Sequence, residues 1–369
     1  MANKKNNHFV PKSYLKRFCS GSERQIGLYN LKSGRSVDDA PIKTQCSRDY
    51  FYTKNPIFED EFSKLEMRQK ELLSKIIETR RVPERQSSDR AALSSSILFQ
   101  AGRTATSAAH RDHLTTEFGK AVLKYELADG DRAALLEYLP ALKITQSNTV
   151  MESIAEHLVM WPLIDDLDCT LFLNESEEDF LTSDHPVARC NSLPPSRTPA
   201  PSIGFASRGL IIVYPISPRA LLLLSDFEVY KVEKNHDGAA ILKGRRDVVE
   251  MNLAQCWGAY ENLYFASQAR VDATLGAFRK RSTVERPLPS SLEERPVHRG
   301  VWLDMRSHVR RLSMPNLIQL RHASKTGKYK LGNGRVRDPL RVQIVKAESD
   351  RINKLREEAT QKAEREQTE

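Results

Sequence analysis

Residues 209–224 read Gly-Leu-Ile-Ile-Val-Tyr-Pro-Ile-Ser-Pro-Arg-Ala-Leu-Leu-Leu-Leu, two short apolar runs separated by a proline-containing turn. Short apolar runs bounded by turn residues are typical of buried strands, so the sequence predicts two consecutive strands. Neither run approaches the roughly 20 residues of a membrane-spanning helix. Residues 1–7 carry positive charge but precede no apolar signal-peptide stretch. We therefore expect no membrane partner and a cytoplasmic location.

On the N-terminal side of these strands, the sequence has a helical period. Apolar residues recur at three- and four-residue spacing over 58–80, and a second helix is predicted over 89–113. Further helices are predicted over 115–127, 131–140 and 148–160. Strand-like segments occupy residues 9–53 and 168–267 instead. The predicted fold class is α+β, with a central helical block (55–162) packed on a small mixed or antiparallel sheet.

The positive charge of the chain is concentrated at its two ends. The net charge is +9, divided as +7 over residues 1–54, −8 over 55–278 and +10 over 279–369. After residue 281 prolines and basic residues replace the periodic patterns. We therefore predict a core domain over residues 1–281, a basic arm over 282–346 and a charged, frayed helix over 347–369. The five cysteines form no C-x-x-C pair, which favours reduced thiols over a zinc ribbon.

The basic arm is a candidate nucleic-acid contact, because it combines cations with Trp302. Cations bind phosphates and aromatic rings stack on bases. The cations selected as binding residues are Arg310, Arg311, Lys328, Lys330 and Arg335. The alternative is that the arm packs on the acidic middle of its own chain or of a protein partner.

Several segments resemble a bacterial family known as domain of unknown function 4238. The most specific are His8-Phe-Val-Pro-Lys-Ser-Tyr-Leu-Lys-Arg-Phe and Phe180-Leu-Thr-Ser-Asp-His-Pro-Val. The resemblance covers about residues 8–267 and leaves the basic arm outside. The chain departs from the family at His185, where asparagine is frequent. The resemblance implies a shared fold unit and a bacterial origin, and it implies no reaction.

Four residues of these segments and of the second helix are candidates for catalysis: His8, Arg103, Asp184 and His185. A histidine can act as a base, an arginine stabilises anionic charge, and a carboxylate orients a base or holds a metal. Each residue also has a structural alternative. His8 can anchor the N-terminus, Asp184 can cap a turn before Pro186, and Arg103 can lie on a solvated helix face.

Three further candidates are binding residues near these positions: Tyr14, Arg17 and Gln100. Gln100 and Arg103 share a helical spacing with Ser107 and Arg111, which predicts one polar stripe along the helix over 89–113. We expect the N-terminal motif and the Ser-Asp-His-Pro segment to meet, since both flank predicted strands.

These candidates lead to two hypotheses about function. The first is a hydrolase that acts on nucleic acid or another phosphate ester. The sequence does not identify its cofactor, and a divalent metal is one option. The second is a non-catalytic binding component of a phage-defence or regulatory complex. No P-loop, dinucleotide fingerprint or G-x-S-x-G motif is found. His110-Arg-Asp112 imitates a kinase triplet and is interpreted as a chance match.

Overall fold

The structure is a computed structural model that describes residues 6–21, 23–52, 56–127, 133–194, 202–281, 290–297, 300–313, 316–321 and 336–368. The strands are β1 (Asn6–His8), β2 (Gln25–Asn30), β3 (Ser36–Pro41), β4 (Ser47–Asp49), β5 (Asp168–Asn174), β6 (Thr182–Ser183), β7 (Ala188–Asn191), β8 (Leu210–Ser217), β9 (Ala220–Ser225), β10 (Tyr230–Val232), β11 (Ala239–Leu242), β12 (Asn262–Phe265), β13 (Ser290–Val297), β14 (Gly300–Ser307) and β15 (Ile318–Leu320). The helices are α1 (Lys12–Leu15), α2 (Pro56–Thr79), α3 (Ser88–Gly102), α4 (Ala105–Glu126), α5 (Thr149–Val159), α6 (Pro162–Asp165), α7 (Arg245–Gly258), α8 (Asp272–Arg281) and α9 (Pro339–Thr368). Helices and small mixed and antiparallel sheets together confirm the predicted α+β class.

The largest sheet is buried on both faces, which explains the two apolar runs over 209–224. Its order is β11–β5–β9–β8–β7, and all neighbours are antiparallel except β11 and β5. Ile211 and Val213 of β8 pack with residues of α7, whereas Ile212 and Tyr214 pack with the helical block. A strand covered on both faces has continuous apolar sequence instead of alternation.

A second, four-stranded sheet joins the N-terminal segment to β12. Its order is β3–β2–β12–β6, and all its pairs are antiparallel. Asn30 of β2 lies opposite Asn262 of β12, and the Asn30 side chain donates a hydrogen bond of 2.9 Å to that of Asn262. The strands predicted over 9–53 and 168–267 are therefore divided between two main sheets.

The prediction of one helix over 89–113 is wrong. α3 ends at Gly102 and α4 begins at Ala105, so the predicted break near residue 114 is also wrong. Thr104 has extended backbone, and its hydroxyl accepts a hydrogen bond of 3.4 Å from the N–H of Ser107. This N-cap begins a new helix with a new direction. The predicted polar stripe is consequently divided between two helices.

The described part of the basic arm is folded against the core. β13 and β14 form a hairpin, from the pair Ser290 and Ser307 to the pair Val297 and Gly300. The sequence analysis did not predict this hairpin. It packs on α4, and farther along the chain β15 pairs with β10.

The C-terminal helix α9 is held by ion pairs and hydrogen bonds with the acidic middle of the chain. Arg337, just before α9, pairs with Asp166, with 3.0 Å between Nε and Oδ2. Arg356 on α9 pairs with Glu152 at 2.8 Å. These contacts support the alternative in which the C-terminal cations bind their own chain. The boundaries of the predicted domains stay a prediction.

Candidate functional site

Arg103 and His8, two of the predicted catalytic residues, belong to a buried structural network. The Arg103 side chain is 1% exposed and pairs with Glu66 of α2, with 2.5 Å between Nη2 and Oε1. It also donates hydrogen bonds of 2.7 Å to the Tyr52 hydroxyl and to the backbone carbonyl of His8. The His8 ring turns away to the carbonyl of Lys43, at 3.2 Å from Nε2. Arg103 therefore ties the N-terminal motif to the helical block.

The predicted binding residues Tyr14, Arg17 and Gln100 also connect the motif to its surroundings. The Tyr14 hydroxyl lies 2.9 Å from the Thr182 hydroxyl and donates to the Pro215 carbonyl at 2.5 Å. This contact shows that the N-terminal motif and the segment at 182–186 meet. Arg17 donates to the Ser74 hydroxyl and to the Lys70 carbonyl. Gln100 donates to the carbonyl of Phe9 at 3.0 Å.

Asp184 is 4% exposed and caps the turn that precedes β12. Its carboxylate accepts hydrogen bonds of 2.7, 2.7 and 2.9 Å from the backbone N–H groups of Tyr260, Glu261 and Asn262. Burial raises the pKa of this carboxyl to about 6, although the three hydrogen bonds lower it. All three donors are backbone groups, so the structure favours the turn-capping role over the catalytic one.

His185, which follows Asp184 in the chain, lines an open cleft. The cleft has a volume of about 1190 Å³ and is bounded by α4, α5, the segment at 202–207 and the hairpin β13–β14. Of the four predicted catalytic residues, only His185 lines it. The sequence analysis missed the other ionisable residues that make the cleft a candidate site, above all Arg189, His157 and His110.

Arg189 is the cation of this cleft that lacks a carboxylate partner. It lies on β7 opposite Ile212, so its side chain lies on the helical face of the large sheet. It donates a hydrogen bond of 3.1 Å to the Ile203 carbonyl, and its guanidinium lies 4.6 Å from the Phe205 ring centroid. No ion pair of Arg189 is found within the residues that the structure describes. Burial lowers its pKa to about 10.

Three histidines of the cleft are neutral near pH 7. Burial lowers the pKa of His110 and of His157 to about 4, and that of His185 to about 3. The positive charge of Arg189 lowers all three pKa values further. A single cation that acts on three imidazoles must lie near each of them. Arg189 is therefore the electrostatic centre of the cluster.

Hydrogen bonds fix the orientation of His157 and His185. Nδ1 of His157 lies 2.7 Å from the carbonyl oxygen of Ser153, which only accepts, so Nδ1 carries the proton and Nε2 carries the lone pair. Nδ1 of His185 lies 2.7 Å from the Thr104 hydroxyl oxygen. Gly102 allows α3 to pass close to α5 at the His157 side chain, because a Cβ at position 102 would lie 2.8 Å from His157. Both rings thus leave Nε2 available.

One further polar group of the cleft lacks a partner. The Thr106 hydroxyl is buried and makes no hydrogen bond with the described residues. Arg111 on the same helix is occupied, since it pairs with Glu156 and donates to the Gln146 side chain at 3.0 Å. The cleft therefore combines an unpaired cation with a free hydroxyl.

Of the predicted arm residues, Arg310 and Arg311 are described, and neither lines the cleft. The Arg310 guanidinium stacks 5.4 Å from the Trp257 ring centroid, and Arg311 is exposed. Lys328, Lys330 and Arg335 lie outside the described residues. In the described ranges, no group of three or more His, Cys, Asp or Glu side chains is placed to hold a metal ion. In the same part of the chain no helix has the length and apolar character to cross a bilayer.

We expect the neutral histidines to make the protein sensitive to acid. Their pKa values are lowered in the folded state, so the unfolded state takes up these protons first as the pH falls below about 6.5. His8, whose pKa is also lowered to about 4, adds to this effect, and the raised pKa values of Asp184, about 6, and of Asp179 and Asp226 oppose it. The free energy of unfolding, measured with urea, should fall by about 2–4 kcal/mol between pH 7 and 5. Equal values at both pH values would contradict the cluster.

The variant His157→Asn separates this cause from general acid effects. The asparagine N–H can still donate to the Ser153 carbonyl, but it does not titrate. The loss of stability between pH 7 and 5 should shrink by about a third. His236→Asn, at an exposed position outside the cleft, should leave it unchanged.

Comparison with known proteins gives a family and no activity. Neither the curated proteins nor the solved structures gave a match to the chain. One family model matches, described as a protein of unknown function (DUF4238), and it covers residues 6–269. The match includes Arg189 and the three histidines, and it stops before the hairpin. The sequence resemblance is thereby confirmed, and the chain belongs to the DUF4238 family.

Proposed function

We propose that the cleft binds a phosphate ester and that the protein is directed at such esters, with Arg189 holding the phosphate. The observation that carries this proposal is the Arg189 guanidinium without a carboxylate among the described residues. An enclosed charge is costly unless an opposite charge compensates it. An anionic ligand would supply that charge, and a phosphate matches the planar donor fork of arginine.

The other groups of the cleft also fit a phosphate. A phosphate offers several acceptor oxygens, and the free Thr106 hydroxyl provides a second donor beside Arg189. The volume of about 1190 Å³ leaves room for the alcohol part of an ester. The three neutral imidazoles neither repel the Arg189 guanidinium nor pair with it. The main charge that a ligand meets beside them is therefore that of Arg189.

We assign proton transfer during hydrolysis to two histidines of the cleft, His157 and His185. A water oxygen would attack phosphorus while its proton passes to Nε2 of His157, whose Nδ1–H is held by Ser153. The P–O bond to the leaving group breaks, and the leaving oxygen takes a proton from the imidazolium of His185. Burial is the largest cause of the low pKa of His185 and the charge of Arg189 is the second; a bound phosphate offsets the second and so raises this pKa.

We expect calorimetric titration at low ionic strength to detect binding of inorganic phosphate and phenyl phosphate. Neutral trimethyl phosphate should not bind, because it lacks the charge that Arg189 requires. If neither anion binds, the proposal is wrong.

We expect His157→Asn to lose hydrolysis of a nitrophenyl phosphate ester by roughly 100- to 10,000-fold, the usual contribution of a positioned general base. Its affinity for inorganic phosphate should stay close to wild type, because Arg189 is unchanged. The assay is run with Mg²⁺ and with a chelator, and His113→Asn serves as the matched control. An equally active His157→Asn would remove this residue from the mechanism.

A non-catalytic phosphate-binding protein is the second candidate. It is favoured by one observation: within the described residues, neither His157 nor His185 is hydrogen-bonded to a carboxylate that would strengthen it as a base. Phosphate binding without hydrolysis of any ester would select this candidate. The regulatory or phage-defence complex of the sequence analysis belongs to this alternative.

A further inference from the structure

Arg337 connects two walls of the cleft. Its side chain is 5% exposed, and its guanidinium donates to both carboxylate oxygens of Asp166, at 3.0 and 3.1 Å. The same guanidinium donates to three backbone carbonyls, those of Leu163, Phe205 and Ser207. All three of these residues line the cleft, Leu163 on α6 and the other two on a separate loop segment. Because the donors of arginine form one planar fork, a single side chain holds both walls.

The backbone next to this side chain is paired with the same loop segment, residues 202–207. The N–H of Arg337 donates to the carbonyl of Ala206 at 2.9 Å, and Val336 forms an isolated β-bridge with Ser207. The family match ends at residue 269. One wall of the cleft is therefore held by residues that lie beyond the matched part of the chain.

The loop segment held by Arg337 supports the groups to which we assign phosphate binding. Arg189 donates to the Ile203 carbonyl at 3.1 Å, and its guanidinium lies 4.6 Å from the Phe205 ring centroid. The same ring meets the ring of His157 edge-on, with 5.4 Å between the centroids. Because Arg337 fixes the backbone carbonyl of Phe205, loss of Arg337 frees the ring to move away from Arg189.

We propose that Arg337 is a positioning residue for the phosphate site and that it acts through Phe205 on Arg189. A long side chain that is already ordered loses little conformational entropy when the ligand binds. The inference rests on the proposed function and adds a coupling to it. Docking of residues 336–337 strengthens phosphate binding, and by thermodynamic reciprocity phosphate stabilises this docking by the same factor.

The first test is calorimetric titration of inorganic phosphate into the full-length variants. Arg337→Met should lower the affinity by about 2- to 12-fold, which corresponds to ordering one long side chain on binding. Phe205→Leu removes the ring but keeps the carbonyl that Arg337 holds, and its loss should be of similar size. The double variant should bind within about 2-fold of the weaker single variant, since both changes interrupt the same connection. Losses that multiply would show that Arg337 does not act through Phe205.

Arg341→Met is the matched control for these variants. Arg341 also fastens the C-terminal part of the chain, by a hydrogen bond of 2.7 Å from α9 to the Pro162 carbonyl. It does not line the cleft and makes no printed contact with Phe205, so its loss should leave the phosphate affinity unchanged.

The wild-type protein allows a second test that needs no substitution. In saturating phosphate, hydrogen exchange of the Arg337 amide should slow by the same 2- to 12-fold, because its donation to Ala206 belongs to the coupled docking. The Gly34 amide, which closes the turn between β2 and β3, should exchange at an unchanged rate. Equal slowing at both amides would indicate global stabilisation and would overturn the coupling.

The outcomes separate this inference from the proposed function. If the wild-type protein binds no phosphate, both are wrong. If it binds phosphate but Arg337→Met binds equally well, or the Arg337 amide exchanges at the same rate with and without phosphate, the inference is wrong and the phosphate site stands.

Discussion

Replacing Arg189 by leucine is expected to abolish phosphate binding without destabilising the ligand-free protein. Two charge-assisted hydrogen bonds to a phosphate are together worth about 3–6 kcal/mol, so the affinity should fall by roughly 100- to 10,000-fold. Stability should stay equal or rise by up to about 2 kcal/mol, because leucine removes a half-buried charge for which no carboxylate partner is found among the described residues. Calorimetric titration and urea unfolding measure the two effects.

Arg103→Met is the matched control, since Arg103 is a second buried arginine with its partners in place. Its loss removes the cation that pairs with the Glu66 carboxylate and the donor to the Tyr52 hydroxyl, while the His8 carbonyl keeps the hydrogen bond from Tyr52. We expect stability to fall by about 3–5 kcal/mol. If the protein is folded, its phosphate affinity should be that of wild type. A loss of stability in Arg189→Leu as large as in Arg103→Met would show that Arg189 is structural.

Asp184→Ala is expected to produce the largest loss of stability, about 3–6 kcal/mol. The change removes the charged acceptor of three partly buried N–H groups, of Tyr260, Glu261 and Asn262, and each lost hydrogen bond costs about 1–2 kcal/mol. These groups lead into β12, so the four-stranded sheet should loosen as well. Urea unfolding gives the free energy, and hydrogen exchange of the three amides locates the change.

Two further variants determine whether the carboxylate itself matters. Asp184→Asn keeps one carbonyl acceptor, so it should lose about half as much stability as Asp184→Ala. Asp237→Ala removes a carboxylate that is 60% exposed and should stay within about 0.5 kcal/mol of wild type. A stable Asp184→Ala with altered ester hydrolysis would instead restore the catalytic role expected from the sequence.

The sequence was sufficient for the main strands and for the long helix α2. Residues 209–224 are apolar on both faces of a strand, and the heptad-like spacing over 58–80 is visible without any tertiary information. The break at Gly102 was not visible, because it depends on the approach of α5 to α3. The hairpin β13–β14 was hidden by charges and prolines that are tolerated on an exposed ladder.

The candidate site was harder to predict from the sequence than the fold, because it depends more on contacts between distant residues. Sequence reasoning selected Arg103, but a counter-ion decides whether an arginine is available, and Glu66 lies 37 positions away along the chain. Arg189 gave no signal, since it lies on a four-residue strand next to a segment rich in serine and proline. His185 was selected correctly as a residue of the cleft, through its place in the Ser-Asp-His-Pro segment. Its role stays a prediction.

The pairing of β2 with β12 has a consequence for the synthesis of this chain. Asn30 and Asn262 are opposite each other, so the N-terminal strand has no partner on that edge until residues 262–265 have left the ribosome. At about 5–20 residues per second, the wait lasts roughly 10 to 50 seconds. During this time Ile26 and Tyr29, buried in the finished protein, lack part of their cover. The nascent chain therefore carries an unpaired strand edge through most of its translation, which is the period in which such an edge is exposed to aggregation.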